Sequence, residues 1–318
     1  MKNAKKTLLK TIRSVSLIIA ATLIIISQFT GCVIQKVPAS TPTPKPDAPT
    51  ARPDTTPSPE TTPATTPEPT PIKDKLICGV TDYPPMNYKD PYGEWIGFDT
   101  EFARVVADRM GMAVEFVEIE WSQKLIELET GHIDCIWNAF AANVSENGVP
   151  RTSLVDFSYS YILNQQCVVI RKGDKADFKT YSDLAGKTAV AKFGSAGEFE
   201  AKNAIGDSGE LIQDSSQKWA LIKLIRGTAD CAFVDILLAQ ELVGTRDYRE
   251  LMIADIELEY EVYAVGFKKG SDLTPRVNRA MKELFDEDRM EYFAYRYGLE
   301  YNLKLDTSFP DVHDDELP

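Results

Sequence analysis

Histidine and cysteine, which supply many catalytic and metal sites, are scarce in this sequence. Only His132 and His313 occur among the 318 residues, so neither a histidine-rich metal site nor a Ser-His-Asp triad is expected. Beyond Cys32 there are four cysteines, each in an apolar run typical of a strand and none in a Cys-x-x-Cys pair: Cys78, Cys135, Cys167 and Cys231. We expect them to be buried thiols, although an exported protein could pair some of them in disulfides. No metal and no cofactor is predicted.

Basic residues are fewer than acidic ones, with 35 Lys and Arg against 48 Asp and Glu. The chain carries a formal net charge of −13, and its first 31 residues contain five basic and no acidic residues, so the remainder is more acidic still. A chain of this charge is a poor partner for nucleic acid and is not expected to lie flat on an anionic lipid surface. We therefore expect no nucleic-acid partner.

The N-terminal segment has the pattern of an export signal. Basic residues from Lys2 to Arg13 precede an apolar run from Val15 to Ile26, which is short for a membrane span. This order predicts a signal peptide over residues 1–31. Its end, QFTGC, resembles a bacterial lipobox, which implies that Cys32 is lipidated and becomes the mature N-terminus. An uncleaved anchor would likewise hold the protein at the extracytoplasmic face of the bacterial cell membrane.

Residues 32–72 are predicted to form a tether. The stretch from Pro38 to Pro71 contains 12 of the 19 prolines, interleaved with threonine. Such a segment favours extended polyproline II structure, at about 3.1 Å per residue. We expect it to hold a folded unit clear of the membrane.

Two similar stretches indicate that the folded unit consists of two related lobes. LIELETGHIDC begins at Leu125, and LIKLIRGTADC begins at Leu221, an offset of 96 residues. Each predicts the end of an amphipathic helix, a glycine that terminates it, and a buried strand. Strands that alternate with helices predict an α/β protein in which each lobe is a mostly parallel sheet flanked by helices. We expect lobe 1 to comprise residues 73–167 and 262–318, lobe 2 to comprise residues 168–261, and two hinge crossovers to join them.

Polar residues stand where several helices are expected to begin. Asp99, Ser122 and Thr274 are predicted N-caps, and either Ser215 or Ser216 is expected to cap another helix. The terminal helix after Thr274 is expected to pack back on lobe 1.

Ligands in open α/β sheets bind beyond the carboxyl ends of strands, so two such lobes would face each other across a cleft. The chain from Leu76 to Gly298 resembles the bacterial extracellular solute-binding proteins of family 3, the amino-acid-binding subunits of ABC importers. The matching stretches are DYPPM, GFDTEFARVVADRMGMAVEFVEIEW, LIELETGHIDCI, RTSLVDFSYSY, DLAGKTAVAKFGS, ADCAFVD and VNRAMKELF. The resemblance implies a two-lobe, periplasmic-binding-protein-like fold of type II.

The resemblance also implies a ligand site shared by the two lobes. Tyr83 and Trp121 match the aromatic pair that encloses the ligand side chain. Arg151 matches the arginine that binds the α-carboxylate, and its guanidinium group has the paired donors that a carboxylate requires. Ser195 matches a hydroxyl group that joins it from the second lobe. Asp235 matches the acid that binds the α-ammonium group.

Three residues at strand ends complete the expected ligand-binding set: Asn138, Ala139 and Lys192. Lys192 stands where some members of the family touch the ligand side chain.

Structural interpretations compete with these binding roles. Ser195 and Asp235 could serve as helix N-caps, and Tyr83 and Trp121 could be core aromatics. Arg151 could be an exposed loop residue.

One stretch departs from the family pattern. The link AFAANVSENGVP before Arg151 is about five residues longer than the resemblance implies, and Gly148 stands where members have a threonine. The hydroxyl group that this threonine supplies on lobe 1 is therefore either missing or provided by another residue, with Asn138, Asn143 and Ser145 as candidates. This departure opens the ligand class beyond ordinary α-amino acids.

The expected function is that of a monomeric, lipid-anchored binding component that delivers an amino acid or related solute to an ABC permease and its ATPase. Two alternatives remain. One is an enzyme on the same scaffold, similar to cyclohexadienyl dehydratase or to peptidoglycan-cleaving transglycosylases, for which Glu94, Glu101, Glu146 and Glu198 are candidate acids or bases. The other is a ligand sensor that acts in trans.

Overall fold

The computed structural model describes residues 74–310. The predicted signal peptide, Cys32, the whole predicted tether and His313 lie outside these residues. Within residues 74–310, no helix combines the length and the apolar composition that a bilayer crossing requires.

The described residues form an α/β structure. The strands are β1 (Lys75–Val80), β2 (Tyr88–Lys89), β3 (Trp95–Ile96), β4 (Ala113–Glu118), β5 (Cys135–Ala141), β6 (Ser145–Glu146), β7 (Val149–Pro150), β8 (Asp156–Phe157), β9 (Ser160–Arg171), β10 (Thr188–Lys192), β11 (Glu210–Asp214), β12 (Cys231–Asp235), β13 (Leu251–Ile253), β14 (Tyr260–Phe267) and β15 (Leu303–Asp306). The helices are α1 (Phe98–Arg109), α2 (Lys124–Glu129), α3 (Arg151–Leu154), α4 (Ala196–Ile205), α5 (Gln217–Ile225), α6 (Ile236–Leu242), α7 (Leu273–Asp286) and α8 (Arg289–Arg296). Short 3-10 helices lie at Trp121–Gln123, Lys172–Asp177, Tyr181–Leu184 and Arg246–Tyr248.

The sheet has two parallel halves with a pair of long antiparallel strands between them. Its order is β11-β10-β12-β9-β14-β5-β1-β4. Strands β4, β1 and β5 run parallel in the first half, as do β11, β10 and β12 in the second. Strand β9 pairs with β12 in one half, and β14 pairs with β5 in the other. This arrangement confirms the predicted two-lobe α/β fold with two crossovers.

The two crossover strands also pair with each other, over residues 162–165 of β9 and 260–263 of β14. The lobe limits proposed from the sequence, residues 73–167 with 262–318 and residues 168–261, fall inside these strands. We retain those limits as a proposal.

The repeated sequence forms the same structural step in each lobe. Helices α2 and α5 are each followed by a glycine with positive φ, Gly131 at 75° and Gly227 at 73°. The aspartate of each repeat then accepts a hydrogen bond from a backbone N–H group of the adjacent parallel strand. Asp134 bonds Ile77 at 2.8 Å, and Asp230 bonds Thr188 at 2.9 Å. The conserved spacing of the repeat therefore aligns neighbouring strands as well as ending the helix.

The four cysteines of the described residues are buried and unbridged. Burial raises the pKa of the Cys231 thiol to about 12 and that of Cys167 well above its ordinary value. These groups therefore pack as small apolar side chains.

Three of the predicted helix caps are wrong. Ser122 lies inside the short 3-10 helix Trp121–Gln123, and helix α2 begins after Gln123, whose side chain makes no capping hydrogen bond. Helix α1 begins after Gly97, and Asp99 lies within its first turn; helix α7 begins after Asp272, which leaves Thr274 inside the helix. Ser216 caps α5 by accepting a hydrogen bond from the Trp219 backbone, as predicted. Helix α7 packs against α1, which places the terminal helix on lobe 1 as expected.

Asp99 connects α1 to the sheet instead of capping the helix. Its carboxyl group is fully buried and accepts hydrogen bonds from the Ala139 backbone at 2.6 Å and the Tyr161 hydroxyl at 2.8 Å. Burial raises the pKa of Asp99 to about 7, although both hydrogen bonds oppose the shift. Asp99 thus supports the end of β5, which carries Asn138 and Ala139.

We predict that Asp99→Ala destabilises the protein by about 1–3 kcal/mol, because two buried donors lose their acceptor. Urea unfolding of the variant and of the parent protein measures the difference. Asp108→Ala, on the exposed face of the same helix, is the control and should leave stability nearly unchanged. Equal stabilities for Asp99→Ala and the parent would show that Asp99 does not support the sheet.

Candidate ligand site between the lobes

The predicted site residues meet around one cavity at the strand ends of the two lobes. All eight of them line it: Tyr83, Trp121, Asn138, Ala139, Arg151, Lys192, Ser195 and Asp235. Ala141, Ala196 and Gln217 complete the lining. The cavity has a volume of about 30 Å³, far below the several hundred Å³ of typical small-molecule sites. The lobes are thus closed onto each other.

The long link before Arg151 folds as a hairpin. Strands β6 and β7 pair, and Asn147 and Gly148 form the turn between them with positive φ angles of 51° and 80°. A two-residue turn of the I′ type requires such angles, which explains the Asn-Gly sequence. Helix α3 then begins at Arg151, and the side chain of Arg151 points into the protein.

Arg151 is buried, so the exposed-loop interpretation is wrong; its side chain is 2% exposed. Its Nη1 donates to the Ala141 carbonyl at 2.9 Å and its Nη2 to the Gly194 carbonyl at 3.3 Å. The guanidinium carbon lies 4.7 Å from the centre of the Phe140 ring. The Nε group donates to Glu146 at 3.1 Å. Three of the five N–H groups thus have protein acceptors, which leaves two for a ligand.

Glu146 and Lys124 form a buried charge cluster with Arg151 that the sequence reasoning missed. The Glu146 carboxylate contacts Lys124 Nζ at 2.5 Å and Arg151 Nε at 3.1 Å. Lys124 is fully buried, and burial together with the charge of Arg151 lowers its pKa to about 8. The hairpin was not predicted from the sequence, and no local pattern joined Glu146 to Lys124. The cluster retains one net positive charge.

The Gly194 carbonyl group connects the lobes. It accepts hydrogen bonds from Trp121 Nε1 at 2.9 Å, Lys124 Nζ at 3.2 Å and Arg151 Nη2 at 3.3 Å. All three donors belong to lobe 1, whereas Gly194 follows β10 in lobe 2. The backbone turns here with a φ of 70°, a conformation that glycine adopts without strain. Lobe closure therefore joins three donors to one acceptor.

Lys192 and the two predicted aromatic residues surround the middle of the cavity. Lys192 Nζ lies 4.6 Å from the centre of the Trp121 ring and donates to Thr81 Oγ1 at 3.3 Å. Burial lowers the pKa of Lys192 to about 7, although Asp235 opposes the shift. The Tyr83 and Tyr263 hydroxyl groups are 3.0 Å apart. An amino group, two aromatic faces and a hydroxyl pair thus surround the space available to a ligand.

Asp235 lies at the negatively charged end of the cavity, whereas Arg151 lies at the positively charged end. It precedes α6, but its carboxylate makes no capping hydrogen bond. Instead it accepts from Asn164 Nδ2 at 3.1 Å, from Gln166 Nε2 at 2.5 Å and from Gln217 Nε2. Gln217, another residue that the sequence reasoning missed, also accepts from the Asp235 backbone at 2.8 Å. The N-cap interpretation of Asp235 is therefore wrong as far as its side chain is concerned.

Ser195 does cap its helix. Its Oγ accepts from the Glu198 backbone at 3.1 Å and donates to the Lys192 carbonyl at 2.6 Å. Because Ser195 also lines the cavity, capping and ligand contact are compatible at this position.

The three candidates for the missing polar group have different positions. Asn138 bonds Thr81 and Asn87 through its side chain, and so positions the loop after β1. Asn143 pairs with β14 through Tyr260 and Val262. Of the three, Asn138 lines the cavity, whereas Asn143 and Ser145 do not. Ala141 and Ala139, whose φ is 48°, also line the cavity.

Comparison with known sequences covers almost the whole described region. The model of the bacterial extracellular solute-binding proteins, family 3, matches residues 76–300. The probable amino-acid-binding protein YxeM of Bacillus subtilis (strain 168) is 30% identical over 223 residues, covering 67% of this chain and 79% of that protein. The arginine-binding extracellular protein ArtP of the same organism is 27% identical over 222 residues, covering 69% and 84%. The L-cystine-binding protein TcyJ of Escherichia coli (strain K12) is 26% identical over 218 residues, covering 68% and 79%.

Solved structures show the same similarity in three dimensions. An ancestral arginine-binding protein bound to arginine matches with a TM-score of 0.66 and 25% identity, over 71% of this chain and 99% of that chain. The holo form of ArgBP from T. maritima matches with a TM-score of 0.61 and 28% identity, over 69% and 96%.

We predict that Glu146→Ala destabilises the protein by about 3–5 kcal/mol, because it leaves two buried cations without their counter-ion. Urea unfolding provides the measurement. Glu115→Ala is the matched control, since Glu115 pairs with Lys75 at 2.7 Å on the exposed surface, where such pairs contribute little. If both variants lose the same small amount, the Glu146 cluster does not stabilise the site.

Proposed function

The chain belongs to the bacterial extracellular solute-binding proteins of family 3, and on this premise we propose that it is the extracytoplasmic substrate-binding component of an ABC importer for amino acids. Its cleft would capture the solute and present it to a membrane permease that is driven by an ATPase. Relatives with named ligands bind arginine or L-cystine, which makes an amino acid the favoured solute class.

The observation that carries this proposal is the meeting of Arg151 and Asp235 at one cavity from opposite lobes. A zwitterion needs a cation for its carboxylate and an anion for its ammonium group, both already oriented. Arg151 retains two unused N–H groups, and the amides around Asp235 hold its carboxylate in place. Trp121 and Tyr83 supply apolar faces for the part of the ligand between these poles.

The charge of Lys192 favours neutral or acidic ligands over basic ones. It lies inside the cavity, and its lowered pKa reflects the cost of keeping a positive charge there. A second cation in the same space would raise that cost, whereas a carbonyl or carboxylate group could accept a hydrogen bond from Lys192. We therefore propose a neutral or acidic amino acid as the ligand, although the relative ArtP is named for arginine.

Ligand entry requires the lobes to separate. The cavity of about 30 Å³ has room for little more than one or two water molecules. Strands β9 and β14 are the connections about which the lobes would turn, and opening would break the hydrogen bonds of Gly194. Capture would thus replace some protein contacts at the cleft with ligand contacts.

The structure offers little support for the enzyme alternative. None of the four candidate glutamates lines the cavity: Glu94 is exposed, Glu101 bonds Arg296, Glu146 bonds Arg151, and Glu198 bonds the Gly194 backbone. The named relatives are binding proteins. We propose that the protein binds its solute without converting it.

The N-terminal pattern supports a membrane-anchored form of this binding protein. We propose that residues 1–31 are removed as a signal peptide, that Cys32 carries the lipid, and that residues 32–72 act as the tether of a monomer. The anchor would keep the binding unit near its permease.

A thermal-shift screen of the proteinogenic amino acids and L-cystine tests the proposed binding, with ligand recovered afterwards to check that it is unchanged.

We predict that Asp235→Asn weakens binding of the amino acid that gives the largest shift by about 2–5 kcal/mol, because its ammonium group loses a charged partner. The amine-free acid of the same carbon skeleton should lose much less. Asp255→Asn, at an exposed position in the same lobe, is the control. Absence of any shift, or recovery of a converted product, would contradict the proposal.

We predict that Cys32→Ser moves the protein from the membrane fraction to the soluble fraction of its host, because the lipid attachment site is lost. Fractionation and immunoblotting measure the distribution. Cys78→Ser, a change in a buried core cysteine, is the control and should leave the protein with the membrane. A Cys32→Ser variant that stays membrane-bound would favour an uncleaved anchor.

A further inference from the structure

A second carboxyl group lies behind Asp235, outside the lining of the cavity. Glu261 belongs to the crossover strand β14, and its side chain is 4% exposed. Its Oε2 accepts a hydrogen bond from Asn164 Nδ2 at 2.9 Å and from Gln166 Nε2 at 3.3 Å. Asn164 and Gln166 lie on β9, the other crossover. Glu261 therefore sits where the two lobes are joined.

Asp235 shares both of these amide donors. Its Oδ1 accepts from the same Asn164 nitrogen at 3.1 Å and from the same Gln166 nitrogen at 2.5 Å. Two NH₂ groups therefore hold the two carboxyl groups side by side in a buried space. Carboxyl groups in such an arrangement do not both ionise readily, because like charges repel more strongly away from water.

The groups that face Glu261 do not offset this repulsion. Burial and then the charge of Asp235 raise the pKa of Glu261 to about 8. The hydrogen bonds from Asn164 and Gln166 and the charge of Arg151 on α3 oppose this shift without cancelling it. Tyr83 and Tyr263 are the other titratable groups nearby, and the pKa of each is itself raised by burial and by Asp235. Glu261 therefore keeps its proton at neutral pH.

We infer that Glu261 is a second carboxyl group of the ammonium site, and that an α-ammonium group bound beside Asp235 expels the proton of Glu261 to solvent. This inference rests on the proposed function, since it requires a ligand that carries an amine. The O–H bond of neutral Glu261 breaks, the proton passes to the buffer, and the new carboxylate shares the positive charge of the ligand with Asp235. The amide donors of Asn164 and Gln166 remain in place to stabilise both carboxylates.

Because of this coupling, the affinity for a ligand should depend on pH and on whether the ligand carries an amine. A complex that forms with loss of a proton becomes weaker as pH falls, because protons compete with the ligand. Affinity for an amino acid should therefore fall by up to about tenfold per pH unit as pH is lowered below about 8. Lys192 also titrates near neutral pH, with a pKa of about 7. A variant of Glu261 is thus needed to distinguish the effect of Glu261 on the pH dependence from that of Lys192.

Titration calorimetry measures the proton directly. The chain from residue 32, with Cys32→Ser to prevent lipid attachment, is titrated at pH 7 with each proteinogenic L-amino acid and L-cystine, in phosphate and in Tris buffer. These buffers differ in ionisation enthalpy, so the difference in binding heat counts the protons released. We expect release of most of one proton per amino acid bound, and much less with the amine-free acid of the same skeleton.

Glu261→Gln retains the acceptor oxygen and mimics the protonated side chain. We expect it to bind the same amino acid with little proton release and with a flatter dependence of affinity on pH. Glu259→Gln, an exposed position on the same segment, is the matched control and should behave like the parent. If Glu261→Gln does not fold, the parent is compared with the two ligands, because equal proton release for the amino acid and for its amine-free acid between pH 6 and 8 overturns the inference. Binding of no amino acid at all overturns the proposed function instead.

Discussion

A guanidinium group buried at the end of a sheet must find acceptors, and much of the site follows from how Arg151 finds them. The Ala141 carbonyl is supplied by the end of β5, Glu146 by the hairpin, and the Gly194 carbonyl by the opposite lobe. The hairpin before Arg151 is thus a structural part of the site, since it brings the Glu146 carboxylate to the arginine. Lobe closure adds the third acceptor.

The cavity has opposite charges at its two ends. At each end, the charged side chain forms hydrogen bonds or ion pairs with other groups of the protein. On the positive side, Glu146 balances one of the two charges of Lys124 and Arg151. On the negative side, amide groups from Asn164, Gln166 and Gln217 hold Asp235 without neutralising it. A charge fixed by neutral donors stays available to a ligand, which is how a closed site of this kind can recognise a zwitterion.

The same arrangement connects binding to the joint between the lobes. Asn164 and Gln166 belong to one crossover strand and Glu261 to the other, so the amides that orient Asp235 lie on the segments about which the lobes would turn. At the other end of the cavity, Trp121, Lys124 and Arg151 all reach across to Gly194. Movement of the lobes therefore changes the surroundings of both charge poles together.

Much of this protein could be predicted from local patterns. Periodic apolar residues and the repeated helix-glycine-strand step each depend on neighbours within a few residues, so they predicted strands, helices and the two-lobe α/β fold. The resemblance named six of the eight residues that line the cavity, and Asn138 and Ala139 were added because they stand at a strand end. The predicted helix caps at Asp99, Ser122 and Thr274 were wrong. Asp99 accepts hydrogen bonds from Ala139 and Tyr161 instead, because tertiary contacts bring these groups to its carboxylate. The helices expected after Ser122 and Thr274 begin at other residues.

The sequence by itself determined the fold class, the charge poles Arg151 and Asp235, and the aromatic pair between them. Only the tertiary structure decided which groups surround those poles: Glu146 beside Lys124, Gly194 beside Arg151, and Glu261 beside the amides of Asp235. These partners lie 22, 43 and 95 residues or more apart in the chain. Their energies depend on distances and on burial in the folded state, and no local pattern of side chains encodes either quantity.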